Sequence, residues 1–255
     1  MQEPPTLASL IPQVLAAAND RPLAFVLSGH NGSGKSTLWN DRLTPIVQLP
    51  LINADRLITS ILPAPNEDGF LEPWASALRD NDARWQILAQ EGVTAFMGLV
   101  TEKRMAFGFE TVFSHWRENP DGTIESKIDV IKSLQEKGYF VVLLFVGLVN
   151  VDMSNFLRVL TRTSQGGHDV PKQKLDERFP RTQKAVGHAA PLADMTLMFD
   201  NSRGLKEAFT LARVQQQDRV IYDCRNPAFA GNNLRHVAAL WLDKVCGEYP
   251  SAAPV

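Results

Sequence analysis

Short, unbroken apolar runs alternate along this chain with longer stretches in which apolar residues recur at helical spacing. Leu23–Leu27 and Phe140–Val146 are continuous apolar runs, the pattern of parallel strands covered on both faces. Val47–Ile52, Met105–Phe109 and Met195–Phe199 are further strand candidates, and Val220–Tyr222 is a short one. Helical periodicity marks Leu7, Leu10, Val14 and Leu15, with Pro12 as an interruption. It marks Trp74 to Val100, as one long helix or two in series, and Ile124, Ile128, Ile131 and Leu134, with Gly138 as the stop. Helices are also predicted over Ser36–Leu43, ended by Pro45, over Asp152–Thr163, from Pro171 to about His188, and over Asn233–Val245. Residues 62–73, rich in proline and glycine, read as a loop. Strands alternating with helices predict parallel βαβ units in a three-layer α/β/α sandwich with a mostly parallel central sheet.

In such folds ligands sit beyond the carboxyl ends of the strands, so those positions are where chemistry is sought. The first strand candidate runs into Gly29-His30-Asn31-Gly32-Ser33-Gly34-Lys35-Ser36-Thr37, which fits the phosphate-binding P-loop pattern G-x-x-x-x-G-K-[ST] in its strand–loop–helix context. Gly29, Gly32 and Gly34 let the backbone wrap phosphate oxygens with inward-pointing amides, and the following helix adds the positive end of its dipole. Lys35 supplies a point charge for the β- and γ-phosphates of ATP, and Ser36, with Thr37 nearby, offers a hydroxyl for Mg²⁺. Asn31 and Ser33 are candidate phosphate hydrogen-bonders, although polar residues are common in turns. The second strand candidate ends in Asn53-Ala54-Asp55 and the third in Glu110-Thr111. Asp55 lies where a carboxylate takes the proton of an acceptor hydroxyl or positions Mg²⁺; the alternative is a turn or helix cap. Glu110 and Thr111 are candidates for holding the acceptor.

The charge pattern adds one feature. The chain of 255 residues has a formal net charge of −2, which gives no global argument for nucleic acid or an anionic membrane. Yet between Arg158 and Lys184 seven basic residues face three acids. Lys174, Arg178 and Arg181 share one face of the predicted helix, while Leu175, Phe179, Thr182 and Val186 share another. A basic face above a P-loop suits a lid that clamps ATP, with Gly166-Gly167 as its hinge; a solvated helix face is the plainer alternative. Arg162 and Arg178 are the first candidates for neutralising charge on the transferring group, and Arg158 and Arg181 are candidate ATP contacts. His168 reads as a loop histidine. Cys224 and Cys246 lack metal-ligand spacing and read as incidental thiols. No leader is expected, since the first basic residue is Arg21, and no membrane span, so a cytoplasmic protein is the expectation.

Taken together, Gly29–Thr37, Asn53-Ala54-Asp55, Glu110-Thr111, the Arg158/Arg162 segment before Gly-Gly-His-Asp-Val-Pro, the Arg178 helix and Asp200-Asn201-Ser202 resemble the zeta-toxin-like P-loop kinases, closest to their chromosomal zeta-like branch. The resemblance spans roughly residues 20–205. It implies a single P-loop kinase domain over 1–255, with a core over about 20–205, a lid over about 158–188 and a C-terminal helical extension over about 205–255. It also implies ATP and Mg²⁺, an Asp base at Asp55, phosphate-clamping arginines, and a small antitoxin protein as partner. In the best-known members the acceptor is UDP-N-acetylglucosamine, bound by a Glu-Gly-Thr-x-Arg segment; this chain reads Glu110-Thr111-Val112-Phe113-Ser114, with Ser114 at the Arg position. The expected function is ATP-dependent phosphoryl transfer to a small-molecule hydroxyl. Another acceptor (nucleotide, cofactor or sugar) or a non-catalytic ATP-binding switch are the alternatives.

Overall fold

The computed structural model describes residues 5–68, 70–149, 172–229 and 231–250. Its centre is a seven-stranded sheet of order β2-β3-β1-β6-β7-β8-β9. The strands are β1 (Leu23–Gly29), β2 (Leu51–Ile52), β3 (Phe107–Glu110), β6 (Phe140–Gly147), β7 (Met195–Asp200), β8 (Thr210–Gln216) and β9 (Arg219–Asp223). The first five pair in parallel, whereas β8 and β9 run antiparallel to their neighbours. β1 and β6 are buried along their whole length, as their unbroken apolar runs require. A separate hairpin pairs β4 (Trp116–Glu118) with β5 (Ile124–Ser126).

The helices are α1 (Leu7–Ala18), α2 (Lys35–Thr37), α3 (Ala54–Ile61), α4 (Pro73–Asn81), α5 (Ala83–Glu102), α6 (Ile128–Glu136), α7 (Lys172–Ala189) and α8 (Asn232–Cys246). Apolar faces of α1, α6, α7 and α8 join the strands in one core, while α3, α4 and α5 meet in a smaller cluster around Ile58, Ala75 and Ala89. The division of Trp74–Val100 into two helices falls at Asp82, whose carboxylate accepts from the amides of Arg84 and Trp85.

Four expectations change. Val47–Ile52 contracts to a two-residue strand, because Pro50 offers only its carbonyl, to Gly108 N. Ile124 belongs to β5 and not to the following helix, since Asn119-Pro120-Asp121-Gly122 forms the turn of a hairpin, closed by Gly122 N donating to Asn119 O. The helix after the P-loop widens over Leu38–Leu43 into a π-helical turn, in which Thr44 N donates to Trp39 O. The extension beyond residue 205 is not only helical: β8, which was not expected, pairs with β9, the strand expected at Val220–Tyr222, before α8. The helix expected over Asp152–Thr163 lies outside the described residues.

Gly108 tests how tightly β3 is packed. A Cβ there would lie 2.5 Å from the ring of Trp39, which is buried. Gly108→Ala is expected to destabilise the fold by about 1–3 kcal/mol, read as a lower urea midpoint with unchanged m-value.

Candidate active site

The glycine loop after β1 is compressed from two sides. A Cβ on Gly29, whose φ is +147°, would stand 2.7 Å from Ser33 Oγ and 2.9 Å from Val146 O. One on Gly34, at φ +94°, would stand 2.8 Å from Asn201 Nδ2 and 2.9 Å from the Phe209 ring. Only glycine combines that backbone with that closeness. Asn201, just past β7, donates its side-chain amide to Ser33 O at 2.8 Å and so clamps the loop from the β7 side. The Lys35 side chain folds back along the loop and donates to Gly29 O at 3.1 Å and His30 O at 3.0 Å.

Glu110, at the carboxyl end of β3, gathers the other strand ends. Ser36 Oγ donates to its two carboxylate oxygens, both at 3.0 Å, Asn53 Nδ2 donates to Oε2 at 2.7 Å, and Lys35 Nζ stands 4.0 Å from Oε1. Asn53 also works through its other side-chain atom, since its Oδ1 caps α3 by accepting from Asp55 N at 2.7 Å and Arg56 N at 3.4 Å. Asp55 is thereby held on the first turn of α3, exposed, where it lines a cavity of about 1160 Å³ together with Ser36. The walls of that cavity come from α3, the segment around Pro63–Pro65, α4 and α5; they include Ile58, Leu71 and Ile87, the buried guanidinium of Arg79, and Gln90.

Lys35 and Ser36 thus stand against Glu110, and Ser36 shares the cavity with Asp55. Glu110 lies against Ser36 and Asn53 and is not part of the cavity wall. Thr111 is held by backbone pairing to Leu27 O, and its hydroxyl accepts from Phe113 N. On α7, Leu175, Thr182 and Val186 form the buried face, as their spacing predicts. Arg178 is half-buried on this helix, while Arg181 turns to the exposed Glu177 and does not join the cluster at Ser36. Arg158, Arg162, Gly166-Gly167 and His168 lie outside the described residues. Asn53, Asn201 and His30 stand in the sequence motifs only within longer segments, with no role of their own, and Phe209 stands in none. For Asn53 a signal existed, an Asn at a helix N-cap directly after a strand.

The loop has the features of an anion site. The Ser33 hydroxyl, Asn31 Oδ1 and both ring nitrogens of His30 are buried without a hydrogen-bond partner among the described residues. Burial, with the neighbouring Lys35 charge adding to it, pushes the His30 pKa down to about 3, so the ring is neutral. Lys35, unpaired hydrogen-bonding groups in the loop, and the positive φ of Gly34 ahead of the helix fit a nucleotide's phosphates. A hydroxyl and a carboxylate in contact, Ser36 with Glu110, are the hard oxygen donors that Mg²⁺ takes. Among the described residues there is no group of three or more His, Cys, Asp or Glu that would hold a metal by itself. No helix among them is long and apolar enough to cross a membrane.

No family model matches the chain, and no curated protein matches it. Solved structures do. A structure from the PezAT chromosomal toxin–antitoxin system of Streptococcus pneumoniae is 14% identical, with a TM-score of 0.50, covering 95% of this chain and 87% of that one. The AvrRxo1-ORF1:AvrRxo1-ORF2 structure with sulphate ions is 14% identical, with a TM-score of 0.53 and coverages of 94% and 84%. The AvrRxo1-ORF1:-ORF2 structure with ATP is 13% identical, with a TM-score of 0.54 and coverages of 97% and 73%. The chain therefore shares the fold of these structures, the expected three-layer α/β arrangement around a mostly parallel sheet.

Two outcomes follow from the geometry. Asn53→Ala removes the α3 cap and a donor to Glu110 together, and is expected to cost about 1–2 kcal/mol in urea unfolding. Because the folded His30 ring stays neutral to about 3 while the unfolded ring titrates near 6.5, the unfolded chain binds the extra proton between those values. Stability is expected to be full above pH 6.5 and to fall as the pH drops toward 3, and His30→Phe should flatten part of that slope in pH-dependent denaturation.

Proposed function

We propose that this protein is an ATP-dependent phosphotransferase that moves the γ-phosphoryl group of ATP to a hydroxyl of a small molecule seated in the cavity beside Ser36. One observation carries the reading: Asp55 and Ser36 line the same cavity, so a carboxylate and the phosphate loop face a shared space large enough for an acceptor. Cavities that hold small molecules run to about 300–1,000 Å³, and this one, at about 1160 Å³, lies just above that range.

The loop amides and Lys35 hold the triphosphate. Ser36, oriented by Glu110, would hold Mg²⁺, which supplies charge neutralisation on the phosphate oxygens when bound. Asp55 accepts the proton of the acceptor hydroxyl as its oxygen attacks phosphorus; the bond from the γ-phosphorus to the bridging oxygen breaks, and ADP leaves. Arg178 and Arg162 are proposed to neutralise charge in transfer, with Arg158 and Arg181 as further ATP contacts. Glu110 serves the metal side in this scheme, and acceptor contacts fall to Asp55 and the α4–α5 wall. UDP-N-acetylglucosamine is one acceptor to try. Ser114 stands where an acceptor-binding Arg is found in the best-known kinases of this type, which favours a wider panel of hydroxyl compounds. The neighbouring structures come from a toxin–antitoxin system and from a two-component ORF1:ORF2 complex, which supports a small inhibitory protein as partner.

The test is mass spectrometry of a metabolite extract incubated with ATP and protein. One species should gain a phosphate. Lys35→Ala should abolish that gain, and Asp55→Asn should slow it by about 10²–10⁴-fold while ATP still binds. Near-normal turnover of Asp55→Asn would remove the base from its role.

A further inference from the structure

We infer that His30 is a positioning residue whose ring seats α7, the helix carrying Arg178, on the phosphate loop. The ring lies face to face with Phe179, centroids 3.8 Å apart and planes 19° from parallel, and meets the edge of Phe145 on β6 at 6.2 Å and 76°. It is 4% exposed, so it fills the space between the sheet and the helix. Neither nitrogen has a hydrogen-bond partner among the described residues. The ring therefore works through its face and its shape; unpaired buried nitrogens by themselves lower stability.

The same residue is part of the loop that encloses phosphate. Its carbonyl accepts from Lys35 Nζ and from Ser33 N, so a displacement of the ring displaces the acceptor that holds both. On the other side of the stack, Phe179 is the neighbour of Arg178. One turn away Thr182 donates to Val112 O at 3.3 Å, just beyond Glu110-Thr111. Beyond the core packing of Ala185, Val186 and Ala189, α7 thus touches the phosphate loop through the ring stack and the segment after β3 through Thr182. Ordering the loop around a nucleotide and ordering α7 are then coupled, and coupling of this kind is reciprocal.

The inference rests on the phosphotransfer reading for its kinetic readout only; the structural readout needs no acceptor. Hydrogen exchange over residues 172–189 is measured on the full chain with and without Mg-ATP, for wild type, His30→Ala, His30→Phe and Phe179→Ala. ATP binding is checked separately. ATP is expected to slow exchange across α7 in wild type. His30→Ala and Phe179→Ala should each lose that response, their double variant should lose nothing further, and His30→Phe should keep it. With an acceptor in hand, His30→Ala should lower kcat on the order of a hundredfold with little change in KM for ATP, and His30→Phe should restore it. If ATP binds yet leaves α7 exchange unchanged in wild type, the inference falls. The same holds if His30→Ala responds like wild type, or if His30→Phe fails as His30→Ala does, which would assign the role to the nitrogens. Should His30→Ala not fold, Phe179→Ala reads the same contact from the helix. Protection of α7 without phosphate gain by any acceptor would sustain this inference and sink the phosphotransfer reading.

Discussion

A buried carboxylate holds the site together. Glu110 exposes only 6% of its side chain, and a charge so far from water persists only if it is paired and hydrogen-bonded. Ser36 and Lys35 from the glycine loop and Asn53 from the end of β2 meet that need. The consequence reaches beyond electrostatics. β2 has two residues and two register pairs with β3, too few to fix the direction in which the chain leaves the sheet. The bond from Asn53 to Glu110 supplies that direction, and the cap Asn53 provides to α3 carries it on to Asp55. One carboxylate therefore sets the Ser36 hydroxyl and, through a single asparagine, the Asp55 carboxylate. Replacing it with an apolar residue would leave the Ser36 hydroxyl and the Asn53 amide without this acceptor and remove the ion pair with Lys35.

The parts of this arrangement that were legible in sequence are those encoded locally. The P-loop is nine consecutive residues; β1 and β6 are unbroken apolar runs; α7 shows its buried face in Leu175, Thr182 and Val186. What escaped is encoded between distant residues. Asn53 and Glu110 are 57 positions apart, and Asn201 and Ser33 are 168 apart. No periodicity reports such pairs, and each partner alone looks like a turn residue. The misplacement of Ile124 has a different cause. Isoleucines at 124, 128 and 131 imitate a helical stripe, and only the Asn-Pro-Asp-Gly turn ahead of them shows that the first belongs to a hairpin. β8 was missed because Arg213, Gln215 and Gln216 make it read as polar. Their side chains are spent locally: Arg213 donates to Gln215 and to Asp223, Gln215 donates to Gln217 O, and Gln216 accepts from Arg219.

That last pairing explains why a region without a recognisable motif belongs to the site. Asp223 is almost wholly buried. Burial pushes its carboxyl up, but hydrogen bonds and charge from Arg225, with Arg213 behind them, outweigh burial and hold it below the usual range. Arg225 reaches on to Asp243 and to Gly247 O, tying the β8–β9 end of the sheet to the last turns of α8. From α8, Trp241 donates to Asp200 Oδ1 at 3.1 Å and fits over Gly147, where a Cβ would meet its ring at 2.6 Å. Asp200 also accepts from Arg203 and directly precedes Asn201, the residue that clamps Ser33. Phe209, which presses on Gly34, lies at the entrance to β8. The chain after β7 thus braces the phosphate loop from behind through two side chains, while Glu110 fixes it from the front. A nucleotide loop gains little from glycines that permit a tight turn unless something compels that turn. Here the compulsion comes from a fully buried Trp–Asp contact and a half-buried phenylalanine, both contributed by residues that sequence motifs pass over.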